Sequence, residues 1–408
     1  MSLLFALLLL APLQERRAEA ELDEVHMTDG KVLTGQVAFE DEQVVILRNK
    51  SKEKSYDLAD VEQVDSRVRA LREVLRQIDE SGPAVVADGS KLLELAEYAE
   101  HSRLPGEASL LRTFALIADP LDTAAGEALG AKLRKGTWQI PYGRKTRALD
   151  ELVETERKWK TRVTLDSAHY RVVSNLPLGD IVRATLDLER MYAAFYEVFA
   201  LELTLLEPAE IMEVQLHADL ASFPQPGSGR DGDFSAEDRI ARALVDRYPW
   251  RYQVTHEAVR QLFFYTTRRA TNARGTMPRW VSAGVSEALA TGLNGKSGFT
   301  TYDMASVDRS RFRIHARADR PMDIDRVLVI TPPDLTAHKD QHLMYAQCYT
   351  LVHFLMYGAD DEQRGAFMDY LREAYRGKAS PSRFKKQLGD IDALNEEWLA
   401  YVREKSGL

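Results

Sequence analysis

Residues 254–264 read VTHEAVRQLFF and residues 278–292 read PRWVSAGVSEALATG; the fold of the C-terminal half is read from these two stretches. The first opens with His256-Glu257, as in the zinc-holding pattern H-E-x-x-H, but its fifth position is Arg260. The pattern has a geometric basis. Residues i and i+4 share one face of a helix, so two imidazoles can grip one ion while the Glu beside the first acts as base on a bound water. A catalytic zinc keeps three protein ligands and one open position. His256 alone supplies a ligand here, and a guanidinium, which stays protonated in proteins, cannot supply another. Arg260 would also repel the ion: at about 4 Å and an effective dielectric near 20, a unit charge facing a dication costs roughly 8 kcal/mol.

The second stretch aligns without a gap with the pattern P-x-W-[L/V]-x-E-G-[L]-[A]-E, matching at Pro278, Trp280, Val281, Gly284, Val285 and Glu287. Ala283 stands where that pattern has its Glu. The two stretches together carry a resemblance to the peptidase-MA-like gluzincins, zinc metallopeptidases of thermolysin type found as exported bacterial proteins. The resemblance runs from about residue 160 to 404. SAHYRVVSN, the helix-patterned DIVRATLDLERMYAAFYEVFALE, the strand-patterned IMEVQLHADLASF, YAQCYTLVHFL and the closing DIDALNEEWLAYV extend it beyond the motif pair. It implies His256 as first zinc ligand, Glu257 as general base, Arg260 in place of the second ligand and Ala283 in place of the third. It also implies Glu287 as a supporting carboxylate, Trp280 as a motif residue, and Tyr345 as a counterpart of the Tyr that some gluzincins use to stabilise the transition state.

The expectation that follows is a vestigial site without metal. Arg260, at i+3 from Glu257 and i+4 from His256, can place its cationic head in the vacated position and pair with Glu257 and with Glu287. The other readings are an Arg260 that points to solvent over a collapsed site, or zinc held by a rearranged ligand set in which Glu287 takes part. His338 and His342 have i,i+4 spacing but straddle a helix start after Pro332-Pro333, and read as surface residues. His353 sits on an apolar helix face and reads as a satisfied core residue. His169 and His217 fall on expected strands, and Cys348, the single cysteine, reads as buried. Asp360-Asp361 and Glu396-Glu397 read as solvated helix starts and faces. There is no G-x-S-x-G, Walker loop or dinucleotide fingerprint.

Ahead of this domain, EVHMTDGKVLTGQVAFEDEQVVILRNKSKEKSYDLADVEQVDS alternates apolar and polar residues, with Asp29-Gly30 as a hairpin turn. Strands are expected at Val25–Met27, Val32–Val37, Val44–Leu47 and near Asp60–Val64, with a charged turn before the last. LLELAEYAEHSRL and EASLLRTFALIADP, joined by Pro105-Gly106, read as a tetratricopeptide-like helical pair. A charged connecting helix is expected over Lys145–Thr161, a loop at PQPGSGRDGDFS, helix over most of Asp238–Thr267 and a loop-rich stretch up to Pro333. MSLLFALLLLAPL is too short to span a bilayer as a helix but suits the core of a secretory signal, with Ala18-Glu19-Ala20 as cleavage site. No Lys or Arg precedes it, so an uncleaved anchor or a misassigned start is the alternative. The expected order is α+β: a signal peptide over 1–20, a small β-barrel-like module over 21–66, a helical-repeat spacer over 67–145 and a gluzincin-like domain over 146–408.

At 408 residues with 45% hydrophobic and 29% charged side chains, the chain has material for more than one core. A net charge of −9, without a basic stripe interleaved with aromatics, argues against a nucleic-acid partner. The expected function is that of an exported, catalytically inactive peptidase homologue, extracytoplasmic, that binds protein or peptide or acts as a scaffold at the cell envelope. No cofactor is expected, and no membrane span in the mature chain. The alternative is an active zinc peptidase.

Overall fold

The computed structural model describes residues 23–49, 52–142, 145–154, 158–224, 231–246, 250–270, 277–291, 302–331, 335 and 340–408. The expected signal segment, His338 and part of the PQPGSGRDGDFS loop lie outside the described residues. The chain is mixed α and β, with a β-sheet at its start and helices through its C-terminal third.

Strands β1 (Asp23–Met27), β2 (Val32–Glu40), β3 (Val44–Asn49), β4 (Lys52–Asp57) and β5 (Val61–Asp65) form an antiparallel sheet in the order β4-β3-β2-β1-β5. The turn at Asp29-Gly30 is as the sequence predicts, with Gly30 at φ 83°. The charged turn is not: KEKSYD pairs along β3 as the edge strand β4. Its Lys and Glu side chains point to water on an open edge, where charge discourages further pairing. Val25, Val37, Val45, Leu47 and Val64 make a separate small core.

Helices α1 (Arg67–Ser81), α2 (Gly89–His101) and α3 (Pro105–Ala118) follow, then α4 (Thr123–Ala128). Pro105 opens α3 at its first turn, where its missing N–H costs nothing. The helical reading ends early. β6 (Lys132–Arg134), β7 (Thr137–Tyr142) and β8 (Lys145–Ala148) form a three-stranded meander, and of the connecting helix expected over Lys145–Thr161 the described residues hold α5 (Leu149–Val153) and a 3-10 turn at Trp159–Thr161, with β8 in place of its start. Trp138 explains the meander: it packs on Gly126, where an added Cβ would come within 2.4 Å of its ring, and donates to the Pro120 carbonyl at 2.9 Å. The helical segment shares one hydrophobic core with everything after it, so position 145 marks no break in the packing.

The second sheet holds β9 (Val163–Asp166), β10 (Tyr170–Ser174), β11 (Met212–His217), β12 (Gly232–Ser235) and β13 (Ile240–Leu244) in the order β12-β13-β11-β10-β9. β10, β11 and β13 run parallel. Between β10 and β11 lies α6 (Leu178–Leu203), which buries Tyr192, Phe195, Tyr196 and Phe199 as one aromatic stripe. β11 alternates as expected, Met212, Val214 and Leu216 inward. β12 and β13 correct the sequence reading, which placed a loop and a helix there; the buried side of β13 is Ala241 and Ala243, too small to mark a strand face by hydropathy. α7 (Trp250–Ala270) packs on this sheet and α8 (Arg279–Thr291) packs on α7. The expected loop-rich stretch contains α9 (Arg309–Ala316) and α10 (Ile324–Val327). Further on are α11 (Gln341–Tyr357), α12 (Asp361–Tyr375), α13 (Pro381–Leu388) and α14 (Ile391–Ser406). Among the described residues no helix is long and apolar enough to cross a membrane.

Candidate functional site

The two motif stretches form adjacent helices, as their patterns require. Gly284 permits this arrangement: a Cβ there would lie 2.4 Å from the Cys348 carbonyl and 2.5 Å from Val352, so α8 and α11 meet backbone to backbone only because the residue is glycine. Cys348 is buried at that contact, and burial pushes its thiol far above the usual range. Close packing of α7, α8 and α11 brings His256, Glu257, Ala283, Glu287 and Tyr345 to one centre, with His256, Glu257, Ala283 and Glu287 each buried.

On α7, Arg260 forms an ion pair with Glu257, one helical turn away. Gln253 Nε2 donates to the same carboxylate at 2.8 Å. Gly232 leaves the space that Gln253 fills, since a Cβ on it would come within 2.4 Å of that amide. His256 Nδ1 lies 3.4 Å from Glu257 Oε1. Burial pushes the Glu257 carboxyl up, but the Arg260 charge and the His256 ring more than reverse this and hold it at about 2. Glu257 is therefore an anion at neutral pH with both of its oxygens engaged.

Glu287 is engaged by other partners. The Tyr252 hydroxyl donates to it, and Arg311 Nη2 lies 2.8 Å from its second oxygen. Arg311 also donates to the Tyr252 hydroxyl at 2.9 Å, with its guanidinium 5.6 Å from the ring. Burial and the Glu287 charge raise the Tyr252 hydroxyl well above its ordinary range, which keeps it a donor. The expected pairing of Arg260 with both carboxylates is thus half met: Arg260 takes Glu257, and Glu287 is neutralised from α9. Arg311 was not singled out from the sequence, because it lies in the stretch read as loop. The signal for it was Asp308, which caps α9 by accepting from Ser310 and Arg311, followed by Phe312 one turn on.

His256 Nε2 lies 3.8 Å from Glu287 Oε1 and has no hydrogen-bond partner among the described residues. Tyr345, from the second turn of α11, sets its ring edge against His256 at 5.4 Å between centroids, so it belongs to the centre. Trp280 does not. Its ring is buried among Phe367, Tyr370 and Phe384, about 10 Å along the helix from Glu287, and it anchors α8 to the C-terminal helices.

The donor set does not fit zinc. His256 presents one nitrogen, Ala283 presents a methyl, and both carboxylates carry arginines that compete for the same lone pairs. Among the described residues, the His, Asp and Glu side chains that do converge as three possible metal donors lie elsewhere, at Glu24, His26 and Asp65 of the first sheet. His353 is a satisfied core residue, with Nε2 3.2 Å from the Ala305 carbonyl and Nδ1 2.9 Å from the Tyr401 hydroxyl. His342 is exposed. His217 is buried at the end of β11, stacked on Trp159 at 4.0 Å. A groove of about 290 Å³ lies between α3 and the start of α6, lined by Val86, Phe114, Ile117, Pro177 and Arg183, and no motif residue contributes to it.

Residues 252–380 match a family model described as a protein of unknown function, DUF1570. The match begins at Tyr252, the first α7 residue of the centre, and takes in α8, Arg311 and Tyr345. No curated protein matches the chain.

Proposed function

We propose that the chain is an exported, catalytically inactive relative of the gluzincin metallopeptidases that serves at the cell envelope as a protein- or peptide-binding or scaffold protein. The observation that carries this reading is the pair of arginines. Arg260 on Glu257 and Arg311 on Glu287 supply from within the protein the positive charge that two buried carboxylates need, and Ala283 offers no donor. A carboxylate held by Arg260, Gln253 and His256, and kept well below the usual carboxylate range, is a weak base. The apolar run at the N-terminus with its small-x-small site supports export.

The second reading is a zinc peptidase with a rearranged site. It rests on His256 Nε2, buried, unpartnered and 3.8 Å from Glu287 Oε1. Metal content separates the two. Protein purified without chelator and assayed by inductively coupled plasma mass spectrometry is expected to carry far less than one equivalent of zinc; a stoichiometric ion lost on His256→Ala would establish the second reading. Arg260→His combined with Ala283→Glu is expected to create zinc affinity, because α7 and α8 already hold the two positions on facing helices.

A further inference from the structure

Far from the motif centre, two strands of the first sheet gather one imidazole and two carboxylates. β1 alternates about Val25, which is buried in the small core, so Glu24 and His26 share the outer face. β5 runs antiparallel beside it, with Val64 opposite Val25 and Asp65 directly opposite Glu24. Like charges placed directly across a strand pair are unfavourable unless a cation joins them.

Each carboxylate is oriented by a partner on one oxygen. Arg103, in the loop between α2 and α3, donates to Glu24 Oε1 at 2.8 Å, and Gln63 Nε2 donates to Asp65 Oδ1. The other oxygen of each turns to His26: Glu24 Oε2 lies 3.5 Å and Asp65 Oδ2 3.3 Å from its Nε2. That nitrogen is buried and makes no hydrogen bond to either. At 3.3 Å it is misalignment, not reach, that excludes a bond to Asp65. His169, which also sits between two carboxylates, hydrogen-bonds Glu189 directly at 2.7 Å. A shared metal ion needs no alignment between one donor and the next, and the spacing suits it. Donors about 2.0–2.1 Å from a tetrahedral zinc ion lie roughly 3.3–3.4 Å apart. Here two of the separations are 3.5 and 3.3 Å, and all three donor atoms fall within 4.8 Å of one another.

We propose that Glu24 Oε2, His26 Nε2 and Asp65 Oδ2 form a zinc-type divalent-cation site that ties the last strand of the N-terminal sheet to its first. Arg103 and Gln63 play the part of outer partners that fix the ligating carboxylates. The Glu24, His26 and Asp65 side chains are 28%, 32% and 43% exposed, so water reaches the fourth position and the ion exchanges with solvent. Such a site fills from added metal rather than carrying its ion through purification. β5 leads directly into α1, so the ion fixes the sheet at the point where the chain leaves it. The site is independent of the motif centre and of its function.

The test is isothermal titration calorimetry of zinc chloride into the full chain, stripped with chelator and desalted, in a buffer that does not bind zinc. One saturable equivalent is expected. His26→Gln and Asp65→Asn change part-exposed side chains, and circular dichroism is expected to show both folded as the parent chain. Each is expected to weaken zinc at least about tenfold, the least that loss of an outer partner costs a metal site. Hydrogen exchange of the β1 and β5 amides is expected to slow with zinc in the parent chain and not in Asp65→Asn. No saturable binding up to roughly 1 mM zinc, or equal binding by the parent chain, His26→Gln and Asp65→Asn, would overturn the proposal. So would binding that is lost in His256→Ala and kept in His26→Gln, with slowed exchange in α7 alone, which would locate the ion at the motif centre.

Discussion

Two buried ionic clusters in this chain are solved with different cations. At the motif centre, carboxylates on α7 and α8 face arginines. Where the three segments of the chain meet, carboxylates face a histidine. His169 Nδ1 lies 2.7 Å from Glu189 and its Nε2 3.2 Å from Glu207. Ser167 and the His169 backbone N–H donate to Glu189 at 2.6 and 2.7 Å, and Tyr192 donates to Glu207. Around this core, Glu107 of α3 accepts from the Ala168 N–H at 2.7 Å, and the Glu207 N–H donates to the Ala38 carbonyl of β2 at 2.7 Å. The histidine cluster therefore binds the N-terminal sheet and the helical segment to the C-terminal domain. The arginine cluster lies within that domain and faces outward. One is a joint, the other a surface feature with a buried floor.

The cations differ in what they answer to. Burial alone would lower His169, but the Glu189 and Glu207 carboxylates more than reverse it, and the ring is held at about 10. Arginine has no such titration in the working range. A centre built from arginines holds its charge at any physiological pH; a joint built from histidine loses its charge in alkali.

The largest effect is expected from His169→Ala, which leaves Glu189 and Glu207 buried side by side without their cation. A loss of about 4 kcal/mol by urea denaturation is expected, and a loss near zero would mean that the cluster is not a joint at all. Arg311→Ala should cost less, about 3 kcal/mol, because Tyr252 still donates to Glu287. If it cost more than His169→Ala, the motif centre and not the joint would be the more tightly coupled of the two.

The smallest effect separates the clusters by pH. The folded pKa of His169 is raised above its unfolded value near 6.5, so its contribution is full below that pH and is lost as pH rises toward about 10. Stability is expected to fall by on the order of 2 kcal/mol between about pH 7 and about pH 9, with the slope absent in a His169→Gln variant. The motif centre behaves in the opposite sense. Glu257 is held at about 2, so its contribution is present above the ordinary carboxylate range and is lost only as pH falls toward about 2. An alkaline slope that survives in His169→Gln would assign the titration elsewhere.

What could be read in advance follows from the range of each signal. The α7 and α8 helices, Gly284, the pairing of Arg260 with Glu257 and the place of Tyr345 were legible, because helix periodicity and i,i+3 spacing act within a turn or two. The helical pair α2 and α3 and the hairpin at Asp29-Gly30 were legible for the same reason. β4 was not, since an edge strand of Lys, Glu and Ser carries no apolar alternation. β13 was not, since its buried face is alanine. Trp280 was assigned to the site from its place in a motif, whereas its indole is taken up by Phe367, Tyr370 and Phe384 from helices some ninety residues on.

The chain by itself determined that positions 260 and 283 would offer no metal donor, because a guanidinium and a methyl cannot coordinate whatever surrounds them. It also determined that Glu257 would find a cation, since Arg260 lies one turn away on the same helix. Tertiary structure alone decided which cation Glu287 would receive and that His169 would gather carboxylates from α6 and the loop before β11. Those partners are separated by about twenty residues or more of intervening chain, and charges at that distance along the sequence meet only where packing brings their backbones together.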